Sequence, residues 1–298
     1  MRVFVTGVNG QLGHDVMQLL SERKIECLGC GSSEAYRGIN DTVASLPYVQ
    51  LDICDKSAVY KAIGEYKPDA IIHCAAWTND EAAEDILNRE ALIDLNVNAT
   101  EYLAEISAEL DSKMVYISSD YVFSGEGKEA HLADDSDFNP INEYGRSKLQ
   151  GEFAVKRHLK KYFIVRTSWL FGQNGGNFVK TIIKAGHLND EVFVVNDQIG
   201  SPTYSLHLAR LLCDMIESDK YGVYHGTNSG EFISWYDFTC EIYRLAHIDT
   251  KVTPVSTAKY QCTAKRPANS RLDKSKLIEH GFEALPHWKD ALKEFIEI

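Results

Sequence analysis

Short apolar runs alternate with amphipathic stretches through the first half of the chain. The apolar runs include "RVFVTG", "IECLGC", "AIIHCAA" and "KMVYISS", and the first helical stretch between them is "LGHDVMQLLSERK". The runs show little alternation of apolar and polar residues, which is expected of strands that are covered on both faces. Strand–helix–strand units repeated in this order predict a parallel sheet with helices on both sides.

The pattern predicts two longer helices and a change of organisation after them. One helix covers "REALIDLNVNATEYLAEISAEL", and another runs from about Tyr144 to Lys160, before the strand "YFIVRTSWLFG". After about Thr167 the segments become shorter and turn residues more frequent. We therefore predict an α/β protein, with a Rossmann doubly wound parallel sheet in residues 1–167 and a smaller C-terminal α/β substrate domain in residues 168–298. The boundary is expected to be interleaved, because parts of 196–230, such as "VYHGTNSG", resemble a late strand of the first domain.

Composition and charge narrow the class of protein. Of 298 residues, 44% are hydrophobic and 25% charged, which is typical of globular domains. No apolar run approaches the roughly 18 residues of a membrane span, and a strand begins directly after Met1, which leaves no room for a signal peptide. We expect a soluble cytoplasmic protein. The net charge of −12 argues against binding to nucleic acid or to anionic membranes, but helix N-termini can still bind a small anion.

The seven cysteines do not indicate a disulfide framework, because their number is odd and they are scattered along the chain. "CLGC" at 27–30 has the spacing of a redox motif, but it ends a predicted strand and no helix follows it directly. We interpret these cysteines as small buried hydrophobic residues.

The first strand and first helix are joined by a glycine-rich turn, "VTGVNGQLG". Gly7, Gly10 and Gly13 lie where the chain must turn tightly, approach a pyrophosphate with its backbone and seat the helix on the sheet. The spacing G-x-x-G-x-x-G differs from the G-x-G-x-x-G fingerprint. The strand before it and the helix after it nevertheless predict a dinucleotide site, to which Gln11 and Leu12 also belong.

The end of the second strand bears on the choice of cofactor. A site that prefers NAD usually has an acidic residue there for the ribose 2′-hydroxyl, whereas this chain has Ser32 and, slightly later, Arg37. A small hydroxyl and a nearby arginine would accommodate a 2′-phosphate, so NADPH is the preferred cofactor and NADH the alternative. Asp52 and Ile53 follow the third strand and are candidates for the adenine edge, although Asp52 has a helix N-cap as an equal alternative.

Two strand ends place small and hydroxyl side chains at the predicted ligand-binding edge of the sheet. "VYISSDYVF" ends in Ser118 and Ser119, followed by Asp120, and "HCAAWT" places Ala75 and Ala76 where a flat cofactor could lie close.

The next helix carries Tyr144 and Lys148 one turn apart. The phenol has an ordinary pKa of about 10, and an ammonium within roughly 4–6 Å is expected to lower it. Lys148 can also bond a cofactor ribose, while Ser119 is directed at the substrate oxygen. Tyr-x-x-x-Lys alone is typical of many solvated helix faces. Together with the glycine turn and the strand-end serine it predicts acid–base chemistry beside a hydride carrier, with a carbonyl reduced or an alcohol oxidised.

These motifs resemble those of the extended short-chain dehydrogenase/reductases and, more narrowly, the dTDP-4-dehydrorhamnose reductase family. The resemblance covers essentially the whole chain, through "VTGVNGQLG", "HCAAWT", "ISSDYVF", "YGRSKLQGE", "VRTSWLFG", "NDQIGSPT" and "RPANSRLD". It implies NADPH-dependent reduction of the C4 keto group of dTDP-4-dehydro-β-L-rhamnose to dTDP-L-rhamnose, a step in the supply of sugars for cell-surface polysaccharides.

The resemblance also implies roles for individual residues. Tyr144 would donate the proton to the C4 oxygen, Lys148 would bind the nicotinamide ribose, and Ser119 stands where the family more often has threonine. The implied substrate contacts are Trp77, Thr78, Asp120, Trp169 and Arg266. Packing at the domain junction is an alternative for Trp169, and an exposed charge is an equal alternative for Arg266.

Two departures from the family pattern leave alternatives open. After "AAWT" the family has x-Val-Asp, whereas this chain has Asn79, Asp80 and Glu81, and the segment 33–50 is longer than expected. Some relatives use Mg²⁺ in dimerisation, but we assign no ligands for it, and the protein is expected to be a monomer or a homodimer. A nucleotide-sugar epimerase or dehydratase, a reductase of a related 4-keto sugar, and a non-catalytic regulatory subunit of this fold are the alternative functions.

Overall fold

A seven-stranded parallel sheet forms the centre of the computed structural model, which describes residues 1–260 and 262–297. The strands in chain order are β1 (Arg2–Thr6), β2 (Glu26–Gly31), β3 (Tyr48–Gln50), β4 (Ala70–His73), β5 (Lys113–Ser119), β6 (Tyr162–Thr167), β7 (Leu170–Phe171), β8 (Glu191–Val195), β9 (Ile199–Gly200), β10 (Thr203–Tyr204), β11 (Gly222–His225), β12 (Ile233–Ser234) and β13 (Lys251–Val255). The sheet has the order β11-β6-β5-β4-β1-β2-β3 and every pairing in it is parallel. This confirms the predicted doubly wound sheet.

The helices either cover the two faces of this sheet or pack in a second core further along the chain. In chain order they are α1 (Gln11–Glu22), α2 (Asp41–Ala44), α3 (Lys56–Tyr66), α4 (Asp80–Ala83), α5 (Arg89–Ile93), α6 (Ala99–Glu109), α7 (Glu143–His158), α8 (Phe178–Leu188), α9 (Ser205–Ile216), α10 (Trp235–Leu245), α11 (Ser275–Glu279) and α12 (Trp288–Glu297). Val3 and Val5 of β1 pack on the side of α1 and α9, whereas Phe4 packs on the side of α3, α6 and α7. Neighbouring strand residues are therefore all buried, which explains why the strands lack polar alternation.

The helix predicted for 89–110 contains a wide turn that the sequence pattern did not reveal. A π-helical segment, Asp94–Asn98, joins α5 to α6. At its centre the buried Asn96 bonds both the N–H (2.8 Å) and the C=O (3.1 Å) of Trp77, and its amide donates to Ser147 Oγ at 2.8 Å. These bonds connect the turn after β4 to α7, which fits the tendency of π-turns to occur at functional sites.

The chain from Phe171 onward builds a second apolar core. Phe171, Val179, Phe238 and Leu292 belong to it, together with residues of the paired strands β8 and β13. Strand β11 lies beside β6 at the edge of the main sheet. The division of the chain after residue 167 stays a prediction. Within residues 1–260 and 262–297, none of the helices combines the length and the apolar character needed to cross a bilayer.

Candidate active site

A cleft of about 750 Å³ opens at the carboxyl ends of the parallel strands. It extends from the glycine turn after β1, past the ends of β4 and β5, to Trp235 at the start of α10. Because β1 lies between β2 and β4, the cleft is at the point where the strand order reverses, which is where doubly wound sheets bind ligands. Its volume lies in the range of small-molecule sites.

Backbone atoms build the first end of the cleft. Gly7 has φ +71°, and a Cβ there would lie 2.6 Å from the backbone nitrogen of Ala75. A Cβ at Gly13 would lie 2.4 Å from the carbonyl oxygen of Gly7. Gly10 precedes α1 without a side-chain cap, so the amides of the first helical turn are left for an anionic group. Gln11, Leu12 and the three glycines, predicted to belong to a dinucleotide site, all line the cleft.

Only some of the residues predicted to contact the adenosine of the cofactor line the cleft. Ser32, Asp52 and Ile53 line the cleft, whereas Arg37 lies outside its lining. The backbone N–H of Arg37 donates to Asn9 Oδ1 at 2.8 Å. Asn9, which the sequence analysis missed, lines the cleft instead.

Asp52 is not the helix N-cap that was its alternative interpretation. Its Oδ1 accepts the N–H of Cys54 at 2.9 Å, whereas Asp55 caps α3 by accepting the N–H of Ala58 at 3.0 Å. The Asp52 side chain is thus used in a local turn beside the cleft.

Of the residues predicted at the site in "AAWT", which follows β4, three line the cleft and one does not. Ala75, Ala76 and Thr78 line the cleft, but Trp77 does not. The Trp77 indole N–H donates to the carbonyl oxygen of Asn79 at 3.0 Å, so its polar edge is satisfied locally. Trp77 therefore lies outside the lining, contrary to its prediction as a substrate contact.

Helix α7 brings the tyrosine and the lysine to the cleft. Asn142 caps the helix by accepting the N–H of Gly145 at 2.7 Å, which places Tyr144 in the first turn and Lys148 one turn later. Both line the cleft together with Ser119 from the end of β5.

The expected effect of Lys148 on the phenol is wrong for this structure. Burial raises the pKa of Tyr144 above its ordinary value and outweighs the nearby Ser119 hydroxyl, which favours the ionised form. The carboxylates of Asp120 and Asp80 raise it further. The phenol is therefore protonated at neutral pH, which suits a proton donor.

Lys148 is itself unusual, because its side chain is almost fully buried. Burial lowers the pKa of Lys148 to about 7, although the charge of Glu152 acts in the opposite direction. The Nζ atom lies 4.3 Å from the centroid of the Tyr116 ring. An amine with this pKa changes charge close to neutral pH.

Asp120 lies beside the serine with one oxygen free of hydrogen bonds. Ser119 Oγ donates to its Oδ1 at 2.8 Å, whereas Oδ2 is buried and has no hydrogen-bond partner among residues 1–260 and 262–297. Burial raises the pKa of Asp120 to about 6; Ser270 and Ser119 favour the charged form, although the Ser270 hydroxyl does not reach ordinary hydrogen-bond geometry. An unpaired acceptor in a cleft lining suits a hydroxyl of a ligand.

Two stacked indoles form the far wall. The rings of Trp169 and Trp235 have centroids 3.8 Å apart and planes 15° apart, and both residues line the cleft. The sequence analysis predicted Trp169 and missed Trp235. The available signal was Ser234, which forms a capping box with Asp237 at the start of α10. That signal locates the helix, not the direction of its first side chain.

Arg266 lies outside the cleft lining, held by the two acidic residues at which the chain departs from the family pattern. Its Nε is 2.7 Å from Asp80 Oδ2, and its Nη2 is 3.1 Å from Glu81 Oε1. Asp80 itself lines the cleft. The guanidinium predicted to bind a diphosphate is thus engaged by carboxylates of its own chain.

Comparison with known proteins gives the family of this chain. The family described as "RmlD substrate binding domain" matches residues 1–298. The chain belongs to this family. It is 36% identical over 305 residues to a dTDP-4-dehydrorhamnose reductase of Aggregatibacter actinomycetemcomitans, with 98% of this chain and 97% of that protein covered.

Two solved structures of proteins named dTDP-4-dehydrorhamnose reductase are similar over the whole chain. The one from Clostridium acetobutylicum is 39% identical with a TM-score of 0.90, and the one from Bacillus anthracis, in complex with NADP, is 38% identical with a TM-score of 0.86. Each covers 100% of this chain and 99% of its own.

Proposed function

We propose that this protein is an NADPH-dependent oxidoreductase that reduces the C4 keto group of dTDP-4-dehydro-β-L-rhamnose to give dTDP-L-rhamnose. The observation that carries the proposal is a single cleft in which a glycine turn lies at one end and Tyr144, Lys148 and Ser119 lie together further along. The names of the relatives in the family agree with this chemistry.

The residues present fit a dinucleotide. A close backbone turn at Gly7, uncapped amides at the start of α1 and small side chains at Ala75 and Ala76 suit a pyrophosphate and a flat ring. When bound, NADPH would supply the hydride. Ser32 and Asn9 are the polar side chains we place nearest the adenosine ribose, and the relative solved with NADP supports NADPH over NADH.

The protein's own contribution is to hold and release a proton. Tyr144 stays protonated until negative charge develops on the ketone oxygen, and it then donates its phenolic proton to that oxygen. Ser119 lines the cleft beside the phenol, and the bond that its hydroxyl donates to Asp120 Oδ1 fixes the position of its oxygen. Lys148 would bond the nicotinamide ribose and add positive charge behind the phenol.

The sugar nucleotide would occupy the remainder of the cleft. Asp120 and Thr78 line this part of the cleft and would contact ring hydroxyls of the sugar, and Trp169 offers an apolar face. Arg266 remains a proposed contact of the diphosphate at the rim, where it would bind while still paired with Asp80.

A panel assay tests this function directly. Purified protein is mixed with NADPH or NADH and with each of several 4-keto nucleotide sugars, and the loss of reduced-nicotinamide absorbance is followed while the product is identified by NMR. We expect stoichiometric consumption of NADPH with dTDP-4-dehydro-β-L-rhamnose and slower consumption with other keto sugars.

Other outcomes would replace the proposal with a defined alternative. Sugar conversion without net consumption of reduced cofactor would indicate an epimerase or dehydratase, and preference for another keto sugar would reassign the substrate. Tight binding of a nucleotide with no turnover would indicate a regulatory subunit. Mg²⁺ enters none of the proposed steps.

A further inference from the structure

A buried carboxylate lies directly behind the tyrosine–lysine pair. Glu152 is on α7, one turn beyond Lys148, and its side chain has no solvent exposure. A fully buried ionised carboxylate is costly unless it is paired and hydrogen-bonded. The groups that contact Glu152 therefore indicate its role beside the cleft.

Three donors from two strands satisfy the Glu152 carboxylate. Arg166 donates to Oε1 through Nε and to Oε2 through Nη2, both at 2.8 Å, and Ser118 Oγ donates to Oε1 at 2.7 Å. Burial acts to raise the pKa of Glu152, but these bonds and the charges of Arg166 and Lys156 prevail, and the pKa is lowered. The carboxylate is thus an anion at neutral pH.

The same bonds fix α7 on the sheet beside the reacting groups. Ser118 precedes Ser119 at the end of β5, and it lies opposite Arg166 in the register of β5 with β6. The neighbouring Gly151 lies so close to β5 that a Cβ would be 2.2 Å from the Tyr116 hydroxyl oxygen. A small shift of α7 would therefore change the separation between Ser119 and Tyr144 on the two elements.

The negative charge of Glu152 also acts on the amine of Lys148. Its charge favours the protonated form of Lys148, against the burial that favours the neutral form. The titratable or charged groups around this pair are Tyr116, Tyr162 and Arg166 from the sheet, His73 and Cys74 at the end of β4, and Tyr144 and Lys156 from α7. Burial lowers the pKa of His73 to about 3 and raises those of Cys74, Tyr116 and Tyr144, so Lys148 is the group of this set whose pKa lies near 7. Asp120, which also lines the cleft, has a pKa of about 6 and contributes to the acid side of the profile.

We infer that Glu152 is a positioning residue: its carboxylate, bonded to Arg166 and Ser118, sets the distance of α7 from β5, and its charge, one helical turn from Lys148, favours the charged form of that amine. The inference rests on the proposed reductase function, in which Lys148 must be cationic. It assigns to one side chain two separable effects, one on geometry and one on charge.

The test compares two substitutions at this position. Glu152→Gln removes the charge and keeps the length, whereas Glu152→Asp keeps the charge and shortens the reach. For Glu152→Gln we expect the alkaline limb of the kcat/KM–pH profile to move to lower pH by about 0.5 to 1 unit, because Lys148 then loses its proton more readily. For Glu152→Asp we expect that limb to stay in place while kcat falls about 10-fold, because α7 is displaced.

A second readout does not depend on turnover. The affinity for NADPH is measured by fluorescence over the same pH range. As the pH is raised, the affinity should begin to fall at a lower pH in Glu152→Gln than in the wild type. Glu217→Gln is the matched control, because Glu217 also pairs with an arginine, Arg23 at 2.8 Å, but its side chain is half exposed and lies outside the cleft lining. Its profile should coincide with that of the wild type.

The outcomes separate failure of the inference from failure of the proposed function. If Glu152→Gln does not fold because Arg166 is left unpaired, the neutral double variant Glu152→Gln/Arg166→Gln takes its place, with a smaller shift in the same direction expected. A folded variant with wild-type kcat, pH profile and NADPH binding would overturn the role of Glu152. Absence of turnover in the wild type with every sugar would instead overturn the proposed reductase, and the NADPH titration would still test the inference.

Discussion

The two ends of the cleft differ in the groups that form them, which are backbone atoms at one end and buried polar side chains at the other. At the glycine turn the important property is the absence of side chains: Gly7 and Gly13 let backbone approach backbone, and the amides of α1 are presented to a ligand. At the end of β5 the important property is buried polar chemistry, in which Tyr144 and Lys148 are supported by the Glu152–Arg166 pair.

This difference predicts different sensitivities. Backbone amides do not titrate and tolerate changes of pH, but they do not tolerate added volume. Buried ionisable groups respond to charge and pH, because burial has shifted their pKa values toward or away from neutrality. Binding of the cofactor phosphates should therefore depend on shape, whereas turnover should depend on charge.

The sharpest test of the titrating end is Tyr144→Phe. Loss of the phenolic proton should reduce kcat by roughly 10²-fold or more, with little change in NADPH affinity. The measurement is steady-state consumption of NADPH together with a fluorescence titration. A rate within a few-fold of the wild type would remove Tyr144 from the proposed proton transfer.

The matching test of the backbone end is Gly7→Ala. The left-handed φ of +71° and a Cβ 2.6 Å from Ala75 N require the backbone to shift, so we expect NADPH affinity to fall at least 10-fold and the free energy of unfolding to fall by about 2 to 4 kcal/mol. Gly64→Ala in α3 is the control. Nothing lies within 4 Å of its Cβ, and the helix should gain up to about 1 kcal/mol. Equal affinity in both variants would contradict the proposed turn.

Trp235→Ala tests whether the sugar nucleotide binds against the wall formed by Trp169 and Trp235. Loss of the ring stacked on Trp169 should raise KM for the sugar nucleotide about 5- to 10-fold and leave NADPH affinity unchanged. Trp77→Phe is the comparison, because Trp77 lies outside the lining. A larger increase in KM for Trp77→Phe than for Trp235→Ala would show that the sugar nucleotide binds on the side of Trp77 and not against Trp235.

The smallest expected effect is a gain in stability at the catalytic end. Burial lowers the pKa of Lys148 from 10.5 to about 7, so the unfolded chain binds more protons between these values and stability from this group rises with pH across that window. Lys148→Met removes the penalty and should raise Tm at pH 7 by about 2 to 4 °C while abolishing turnover. A Tm difference that does not shrink as pH rises from 7 toward 10 would argue against this origin.

The comparison also shows where sequence reasoning succeeded. The glycine turn, the strand-end Ser119 and the spacing of Tyr144 and Lys148 are local patterns, and in each case the local element determines where the side chain goes. The predicted parallel sheet followed from the same kind of evidence, since strands buried on both faces must be apolar throughout. The roles of these residues stay predictions until the variants are measured.

Residues whose position depends on a distant partner were placed less well. Arg266 was predicted at a diphosphate, but its guanidinium pairs with Asp80 and Glu81, nearly two hundred residues away in the chain. Arg37, whose backbone N–H bonds Asn9 of the glycine turn, also lies outside the cleft lining, as does Trp77. Nothing in the local pattern of these residues records the competing partner.

The amino-acid sequence by itself determined the layered α/β architecture and the positions of the glycines, the serine and the tyrosine–lysine pair, because periodicity and turn chemistry act over a few residues. Only the tertiary structure decided the ionisation of the site. The sign of the Tyr144 pKa shift follows from how much solvent the folded chain removes, and the state of Lys148 depends on Glu152 and on burial by several strands. Desolvation is a property of the whole packed molecule, and no short motif contains it.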